Sequence, residues 1–507
     1  MPNLPGESID DSRYLALKAR DARFDGLFFT GVTSTGIYCR PVCRVRTPKR
    51  ENCRFFGRPA QAERAGFRPC LRCRPELAPA ASPSNPEGEA RVWSVQDASW
   101  ILAGQAARLI DTPEAWGESA PGVRQLAQRL GVSDRHLRRI FEARFGVSPL
   151  QYLQTRRLLS AKQMLTDTPL PVSEVARLSG FASVRRFNAA FSEHYALKPT
   201  QLRHAGAHRE TDRPEPGIVV KLAYRPPYDE SAMLQFFASR SIAGIEQVTL
   251  AGAQPGIGRT ISLEVAGQRC SGWLTARFDV PGNRVVLRLS DSLRPALPRV
   301  MARVRALLDL DADPQAINQL LHASFPRGDG LRVPGSLDGF ELAVRAVLGQ
   351  QVSVAAARTL ASRLVEHFGE PIETPIAGLN RLFPTPGALA GASGDDLGRL
   401  GIVRQRQAAI RAIATAVLEQ GLRLHAGADV AATIEALQAL TGVGEWTAQY
   451  IAMRALRWTD AFPAGDVALH KALGLQGSKN PARAAQARSR AWQPWRSYAV
   501  IRAWKEI

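Results

Sequence analysis

The chain has 507 residues, more than one hydrophobic core accommodates, so three or four domains are expected. Its 66 lysine and arginine residues outnumber 46 acidic residues, and the net charge of +20 favours a polyanionic partner, although a basic surface that serves only solubility is the alternative. Neither a run of about 18 uncharged apolar residues nor a basic-then-apolar N-terminus is present, so a cytoplasmic protein with reduced cysteines is expected.

Two segments rich in proline, glycine and small polar residues, 78–90 and 206–217, are predicted to be linkers. They separate a cysteine-rich head, a helical middle and a long C-terminal part. In the C-terminal part helical periodicity dominates after about residue 300. Before that point, alternating apolar residues predict strands at 218–224, 260–265 and 285–289.

The cysteines of the head form two close pairs, Cys39/Cys43 and Cys70/Cys73. Two such pairs separated by a loop are typical of a tetrahedral zinc site with four thiolate ligands. Free cysteines in a core are the alternative, and Cys53, which has no close partner, is expected to pack in a core. Eleven basic and only two acidic residues from Arg40 to Arg74 would place this site against a polyanion.

The segments around these cysteines, 35–43 (TGIYCRPVC) and 66–73 (GFRPCLRC), resemble the N-terminal domain of Ada-type proteins over residues 13–76. The resemblance implies a small α+β domain that holds one zinc with all four cysteines. It also implies that Cys39 accepts a methyl group from a methylated DNA phosphate. Zinc would keep the sulfur as thiolate, the nucleophilic form. A purely structural zinc site is the alternative.

Two segments of the middle, 127–149 and 176–199, carry one pattern: an alanine, a glycine four residues later, and then Ser133 or Ser183. A helix, a glycine turn and a second helix capped by serine form a helix-turn-helix. The pair, with a long helix around 150–165, resembles the AraC-type DNA-binding domain over residues 100–204. Helical hairpins that only pack are the alternative. The second helices carry side chains suited to phosphate and base contacts, Arg135, His136, Arg138, Arg139, Arg185, Arg186 and Asn188.

A glycine-rich hairpin is predicted between two helices at 440–448 (LTGVGEWTA). Gly442 and Gly444 would let backbone N–H groups approach a DNA phosphate, with Thr447 beside them, although a glycine helix cap is the alternative. Asp466 follows in a Gly/Pro-rich loop. Hairpin, loop and aspartate together resemble the HhH-GPD superfamily of DNA glycosylases, which implies that Asp466 is catalytic. An N-cap role for Asp466 is the alternative, and both roles can hold at once.

Three further motifs resemble 3-methyladenine DNA glycosylase II of the AlkA type from about residue 218 to 507: YRPPYD at 224–229, RAVLGQQVSV at 345–354 and PWRSYA at 494–499. The resemblance implies excision of alkylated purines such as 3-methyladenine and 7-methylguanine. Asp466 would stabilise an oxocarbenium-like sugar while water attacks. The resemblance also implies that the flipped base stacks on the rings of Trp446, Tyr450 and Trp495. Electron-rich rings stack better on a cationic base than on a neutral one. The alternative is that these rings only pack in the core.

Two departures from the superfamily pattern affect the chemistry. Trp446 stands where bifunctional members have a lysine that forms a Schiff base, so a monofunctional enzyme is expected. Gln351 stands where AlkA-type enzymes have a leucine that fills the gap left by the flipped base, so the sequence does not identify the residue that intercalates.

The sequence therefore predicts a multidomain fold with four domains. A small α+β zinc domain is expected at 1–78, an all-α tandem helix-turn-helix at 91–206, an α+β subdomain at 218–300 and an all-α helix-hairpin-helix glycosylase domain at 301–507. A monomer with one zinc, no organic cofactor and double-stranded DNA as its partner is expected. A methylation-responsive transcription activator whose glycosylase part is degenerate is the alternative.

Overall fold

The computed structural model describes residues in five ranges, 9–80, 95–112, 122–206, 217–252 and 254–506. They form two compact units. Unit 1 comprises the described residues up to Pro226 with two short segments, Gly282–Arg284 and Asp311–Asp313, and unit 2 comprises the others. The predicted linkers lie outside the described residues apart from 78–80, 206 and 217. Within the described ranges no helix is long and apolar enough to cross a membrane.

The head of unit 1 is a four-stranded sheet in the order β3-β1-β2-β4. Its pairs are antiparallel except β2 and β4, which run parallel with Tyr38 opposite Pro69. Because these two strands end side by side, Cys39 and Cys70 leave the sheet at the same edge. The elements are α1 (Ile9–Ala19), β1 (Phe29–Val32), β2 (Ile37–Cys39), β3 (Cys53–Phe56), α2 (Pro59–Arg64) and β4 (Arg68–Pro69).

Seven helices follow among the residues described up to Gly206, and they contain both predicted helix-turn-helix pairs. The Ser133 hydroxyl accepts a hydrogen bond from the His136 N–H at 3.2 Å, and the Ser183 hydroxyl accepts one from the Arg186 N–H at 3.2 Å. Both serines are therefore N-caps, as the sequence predicts. The elements are α3 (Val95–Asp111), α4 (Val123–Arg129), α5 (Asp134–Phe145), α6 (Pro149–Asp167), α7 (Val172–Leu178), α8 (Val184–Tyr195), α9 (Pro199–Gly206) and the strand β5 (Ile218–Ala223).

Unit 2 begins with helix α10 and continues with strands in the order β9-β8-β7-β6. The pairs β6–β7 and β7–β8 are antiparallel. The sequence does not predict β6 or β8, and β7 begins four residues before the predicted strand; in β7 and β8 glycines interrupt the apolar alternation. One of them, Gly272, lies so close to the Ser290 hydroxyl that no Cβ fits. The elements are α10 (Glu230–Arg240), β6 (Glu246–Thr249), β7 (Gly256–Val265), β8 (Gln268–Asp279) and β9 (Arg284–Leu289).

The rest of unit 2 is helical, and α13 lies at its centre. Almost every side chain of α13 is buried, which is expected of a helix that is apolar all round. Its core includes residues of α14, α17 and α19. The helices are α11 (Leu297–Leu307), α12 (Pro314–Leu321), α13 (Gly339–Leu348), α14 (Val354–Phe368), α15 (Pro386–Ala390), α16 (Gly394–Arg399), α17 (Arg404–Glu419), α18 (Val430–Gln438), α19 (Glu445–Arg454), α20 (Val467–Ala472), α21 (Pro481–Ser489) and α22 (Arg496–Lys505).

A buried ion network joins the sheet of unit 2 to α13. Arg259 on β7 pairs with Glu246 on β6 and, at 2.6 Å, with Glu341 on α13. Arg345 pairs with Glu246 at 3.0 Å and with Glu341 at 2.8 Å. Burial opposes ionisation of Glu246, but the two arginines more than offset it and lower the pKa of this carboxyl. Every charge of the network is thus compensated, which makes its burial tolerable.

Candidate active site and metal centre

The four cysteines of the predicted zinc site lie together in unit 1. The sulfur atoms of Cys39, Cys43, Cys70 and Cys73 are all within 4.8 Å of one another. Four thiolates around one zinc lie about 3.8 Å apart for bonds of ~2.3 Å, so this arrangement fits one ion. Cys53 lies outside the group, on β3.

Arg40 supports the metal centre from inside the fold. Its backbone N–H donates to the Cys73 sulfur at 3.3 Å, and its guanidinium donates to the Cys73 carbonyl at 3.0 Å and to Asp25. Arg74 is likewise paired, with Glu76 and Asp167. These two arginines are therefore not available to a polyanion. The exposed basic residues of this segment are Arg44, Arg46, Lys49, Arg54, Arg64, Arg68 and Arg72.

Glu63 on α2 connects the metal centre to the helix-turn-helix region. One of its carboxylate oxygens accepts a hydrogen bond from Tyr38 at 2.9 Å, and Tyr38 directly precedes Cys39. The other lies 2.7 Å from His194 Nε2, on the last turn of α8, and also accepts from Thr155 on α6. The hydrogen bond to Glu63 raises the pKa of His194, which strengthens this pair.

The arginines predicted to contact DNA lie on the solvent side of the second helix of each pair. Arg135 and Arg138 on α5 are exposed, and so are Arg185 and Arg186 on α8. The buried side of the same helices holds Leu137, Ile140, Phe141, Phe187 and Phe191. The amphipathic pattern thus leaves the cationic face of each helix free of the core.

Asp466 is a buried carboxylate held by three hydrogen bonds. It is the N-cap of α20, and its Oδ1 accepts the Leu469 N–H at 2.6 Å. The indole N–H of Trp504 donates to Oδ1 at 3.0 Å, and the indole N–H of Trp446 donates to Oδ2 at 2.9 Å. Asp466 therefore does have the N-cap role that the sequence offered as the alternative. A buried carboxylate oriented by three donors can stabilise a nearby positive charge without reorganising.

Three half-buried rings surround this carboxylate. Trp446 and Tyr450 lie one turn apart on α19 and stack at 5.2 Å with an interplanar angle of 14°. The Trp504 ring lies 6.3 Å from Tyr450 at a tilt of 41°. Trp504 was missed by the sequence analysis. The available signal was a tryptophan near the end of an amphipathic final helix, which is more often a core residue.

The structure does not bring Trp495 to this group. Trp495 is buried, and its ring meets Tyr498 edge-on at 5.7 Å; among the described residues it has no ring contact or hydrogen bond with the rings around Asp466. The physical reason is position on the helix, because Trp495 caps the start of α22 and Trp504 lies near its end. The prediction that Trp495 belongs to the base pocket is therefore not supported by its placement.

The predicted hairpin joins α18 to α19. Gly442 has φ +81, and a Cβ there would meet Ala409, so only glycine suits this position. Gly444 is the N-cap of α19 and faces open space, which leaves the backbone accessible to a phosphate. Thr447 differs from the expectation of a DNA-facing side chain. It is buried, and its hydroxyl accepts a hydrogen bond from Gln350.

Gln351 lies on the loop between α13 and α14. It is exposed and has a left-handed backbone with φ 54. The preceding residue, Gln350, ties this loop to the hairpin, since its Nε2 donates to the Gly442 carbonyl at 3.0 Å and to the Thr447 hydroxyl at 2.9 Å. Arg406 on α17 donates to the Gln350 carbonyl. The loop that presents Gln351 is thus held on both sides.

Sequence profiles of four families match the chain. They are described as the metal binding domain of Ada (residues 12–76), a helix-turn-helix domain (126–205), the AlkA N-terminal domain (219–338) and an HhH-GPD superfamily base excision DNA repair protein (344–497). Together with the cysteine cluster, the first match confirms the prediction of one zinc held by four cysteines. The predicted fold class is also confirmed.

Curated relatives resemble the chain in whole or in part. A protein of Mycobacterium tuberculosis named probable bifunctional transcriptional activator/DNA repair enzyme AlkA is 37% identical over 502 residues, covering 97% of this chain and 96% of that protein. DNA-3-methyladenine glycosylase 2 of Escherichia coli is 36% identical and covers 56% of this chain and 95% of its own length. The Escherichia coli bifunctional activator/repair enzyme Ada is 31% identical, over 39% of this chain and 50% of its own length.

Proposed function

This chain belongs to the family of bifunctional transcriptional activator/DNA repair enzymes of the AlkA type, and on that basis we propose that it excises alkylated purines from DNA with Asp466 as its catalytic carboxylate. The substrates are bases such as 3-methyladenine, after which the Escherichia coli relative is named, and 7-methylguanine. The observation that carries this proposal is the buried Asp466 carboxylate, held by the Trp446 and Trp504 indoles beside the Tyr450 ring.

The proposed mechanism needs the base outside the duplex. A flipped base stacks on the half-buried rings, and its glycosidic bond breaks as the sugar gains oxocarbenium character. Asp466 stabilises that charge, and water adds to the sugar. Trp446 and Trp504 serve to fix the two carboxylate oxygens, while Gly442 and Gly444 bind the DNA backbone and Gln351 fills the gap left by the base.

We propose a second repair activity for the head. Cys39 attacks the methyl carbon of a DNA phosphotriester; the S–CH₃ bond forms, the O–CH₃ bond breaks, and the phosphate regains its negative charge. Zinc, bound by Cys39, Cys43, Cys70 and Cys73, supplies the electrostatic stabilisation that keeps the sulfur as thiolate. Exposed arginines around the cluster bind neighbouring phosphates.

Sequence-specific DNA binding is assigned to the two helix-turn-helix pairs, with Arg135, Arg138, Arg185 and Arg186 as contacts. We place the domain boundaries at 1–78, 91–206, 218–300 and 301–507, as the sequence predicts. A monomer in the cytoplasm suits these roles, since duplex DNA is available there and thiols stay reduced.

The experiment that tests the glycosylase proposal is release of methylated bases from alkylated duplex DNA by purified protein. Asp466→Asn is expected to lower excision by at least a hundredfold, because an amide cannot stabilise the oxocarbenium charge, while duplex binding stays within a few-fold. Release at the wild-type rate by Asp466→Asn would falsify the assignment. Borohydride should trap no protein–DNA adduct, because Trp446 cannot form a Schiff base.

A further inference from the structure

Two arginines interact with the Tyr450 side chain, Arg454 with its ring and hydroxyl and Arg240 with its hydroxyl. Arg454 follows Tyr450 by one turn of α19 and donates to its hydroxyl, and the guanidinium carbon is 5.2 Å from the centre of the Tyr450 ring. The Arg454 guanidinium also lies 4.9 Å from the Phe236 ring, and Arg240 covers that ring at 3.9 Å. The stacked rings of Trp446 and Tyr450 are therefore followed by Arg454, the Phe236 ring and Arg240.

Neither cation forms a salt bridge with a carboxylate of the residues that the structure describes. Arg454 is buried and donates to the Pro334 carbonyl at 2.8 Å and the Gly335 carbonyl at 3.0 Å. Among the described residues neither Arg454 nor Arg240 has an acidic group within ion-pair distance. Glu246 is close enough to interact electrostatically with Arg454, but this carboxylate is already paired with two other arginines. An uncompensated buried charge is costly and is therefore a candidate for a functional role.

The cations act on Tyr450 electrostatically. Burial opposes ionisation of the phenol, yet Arg454 and Arg240 more than offset it and lower the pKa of Tyr450. Burial in turn lowers the pKa of Arg454 and of Arg240. A guanidinium on a ring draws π-electron density toward itself, so it weakens the attraction between that ring and a second cation.

We propose that Arg454, supported by Arg240, determines base specificity by reducing the pocket's preference for cationic over neutral bases. The proposal rests on the glycosylase function of this site. A positively charged 7-methylguanine is repelled by these groups at the same ring that attracts it. A neutral purine, which departs with negative charge, is stabilised by them. The pocket thus accepts both classes instead of selecting cations alone.

The test is single-turnover excision of 7-methylguanine, a cation, and hypoxanthine, which is neutral, from one duplex sequence. Arg454→Met is expected to raise the ratio of the two rates about tenfold in favour of 7-methylguanine, or about 1.4 kcal/mol. Arg454→Lys keeps the charge and should stay closer to wild type. Arg240→Met should shift the ratio in the same direction by a smaller factor, and it decides the test if Arg454→Met does not fold.

Arg332 provides the matched control, since its guanidinium is also buried and lies 5.0 Å from another tyrosine ring, that of Tyr228. Arg332→Met should lower the thermal stability and leave the rate ratio unchanged. The proposal is overturned if the folded arginine variants excise both bases in the wild-type ratio, whether or not both rates fall. Release of 7-methylguanine without any hypoxanthine by the wild-type protein would also overturn it, whereas absence of 7-methylguanine release would instead contradict the glycosylase function itself.

Discussion

At the scale of single residues, the two indole N–H groups that hold Asp466 come from distant parts of the chain. Trp446 lies in the first turn of α19, whereas Trp504 lies in the last turn of α22. Each donates to a different carboxylate oxygen. This arrangement leaves the carboxylate with one orientation, and it keeps both rings at the edge of the proposed base pocket.

Trp504→Phe is expected to lower the single-turnover rate constant of excision about tenfold, because it keeps an aromatic ring but removes one hydrogen bond to a charged oxygen. Single-turnover excision of 7-methylguanine from duplex DNA measures the effect. Trp492→Phe is the matched control, since its indole N–H donates to the Ser324 hydroxyl at 3.2 Å. Equal rates for the two variants would show that the Trp504 hydrogen bond does not position Asp466.

At the scale of secondary structure elements, the loop between α13 and α14 and the hairpin before α19 act as one surface. The central helix α13 is buried on all sides, so the loop that follows it starts from a rigid position. Gln350 then joins this loop to the hairpin through two hydrogen bonds. If Gln351 is the wedge and the hairpin binds phosphate, as proposed above, this connection is expected to keep their spacing constant when DNA binds.

Gln350→Ala is expected to lower excision from duplex DNA about tenfold through loss of these two hydrogen bonds, and to lower excision from single-stranded DNA much less. The reason is that only duplex DNA has a gap, left by the flipped base, that Gln351 must fill while the hairpin binds the DNA backbone. Gln407→Ala removes a comparable contact, from its amide to the Ile402 carbonyl at 2.7 Å, and serves as control. A similar loss on both DNA forms would mean that Gln350 serves folding alone.

At the scale of the whole molecule, the metal centre and the glycosylase site belong to different compact units. Within unit 1, Glu63 connects the strand that carries Cys39 to helix α8. We therefore expect a chemical change at Cys39 to act on DNA binding by the helix-turn-helix region through this connection. Methylation of Cys39 leaves the Asp466 side chain itself chemically unchanged.

Methylation of Cys39 is expected to raise the affinity for duplex DNA several-fold, because four thiolates on one zinc carry a net charge of about −2 and a methylated sulfur reduces it to about −1. Duplex affinity before and after treatment with methylated DNA, across a salt series, measures this. Cys39→Ala should abolish the increase and leave base excision at the wild-type rate. Superimposable binding curves would mean that the head repairs phosphotriesters without acting as a sensor.

Much of this protein follows from sequence patterns because they are local. Metal ligands must be of particular residue types at short spacing, so the two cysteine pairs alone indicated zinc. Serine at a helix start and glycine at a turn are dictated by backbone geometry, and Ser133, Ser183 and Gly442 are found in those roles. The order of the domains followed from such motifs, together with the resemblance they carry.

Only the tertiary structure decided which distant side chains meet. Trp495 and Trp504 stand at opposite ends of α22, about two and a half turns apart and so on opposite sides, and helix packing brings Trp504 to Asp466. Packing also buries Thr447 under Gln350 and sets Arg240 from the first helix of unit 2 beside Tyr450. Such contacts depend on how whole elements approach one another, and no spacing within a single segment encodes that.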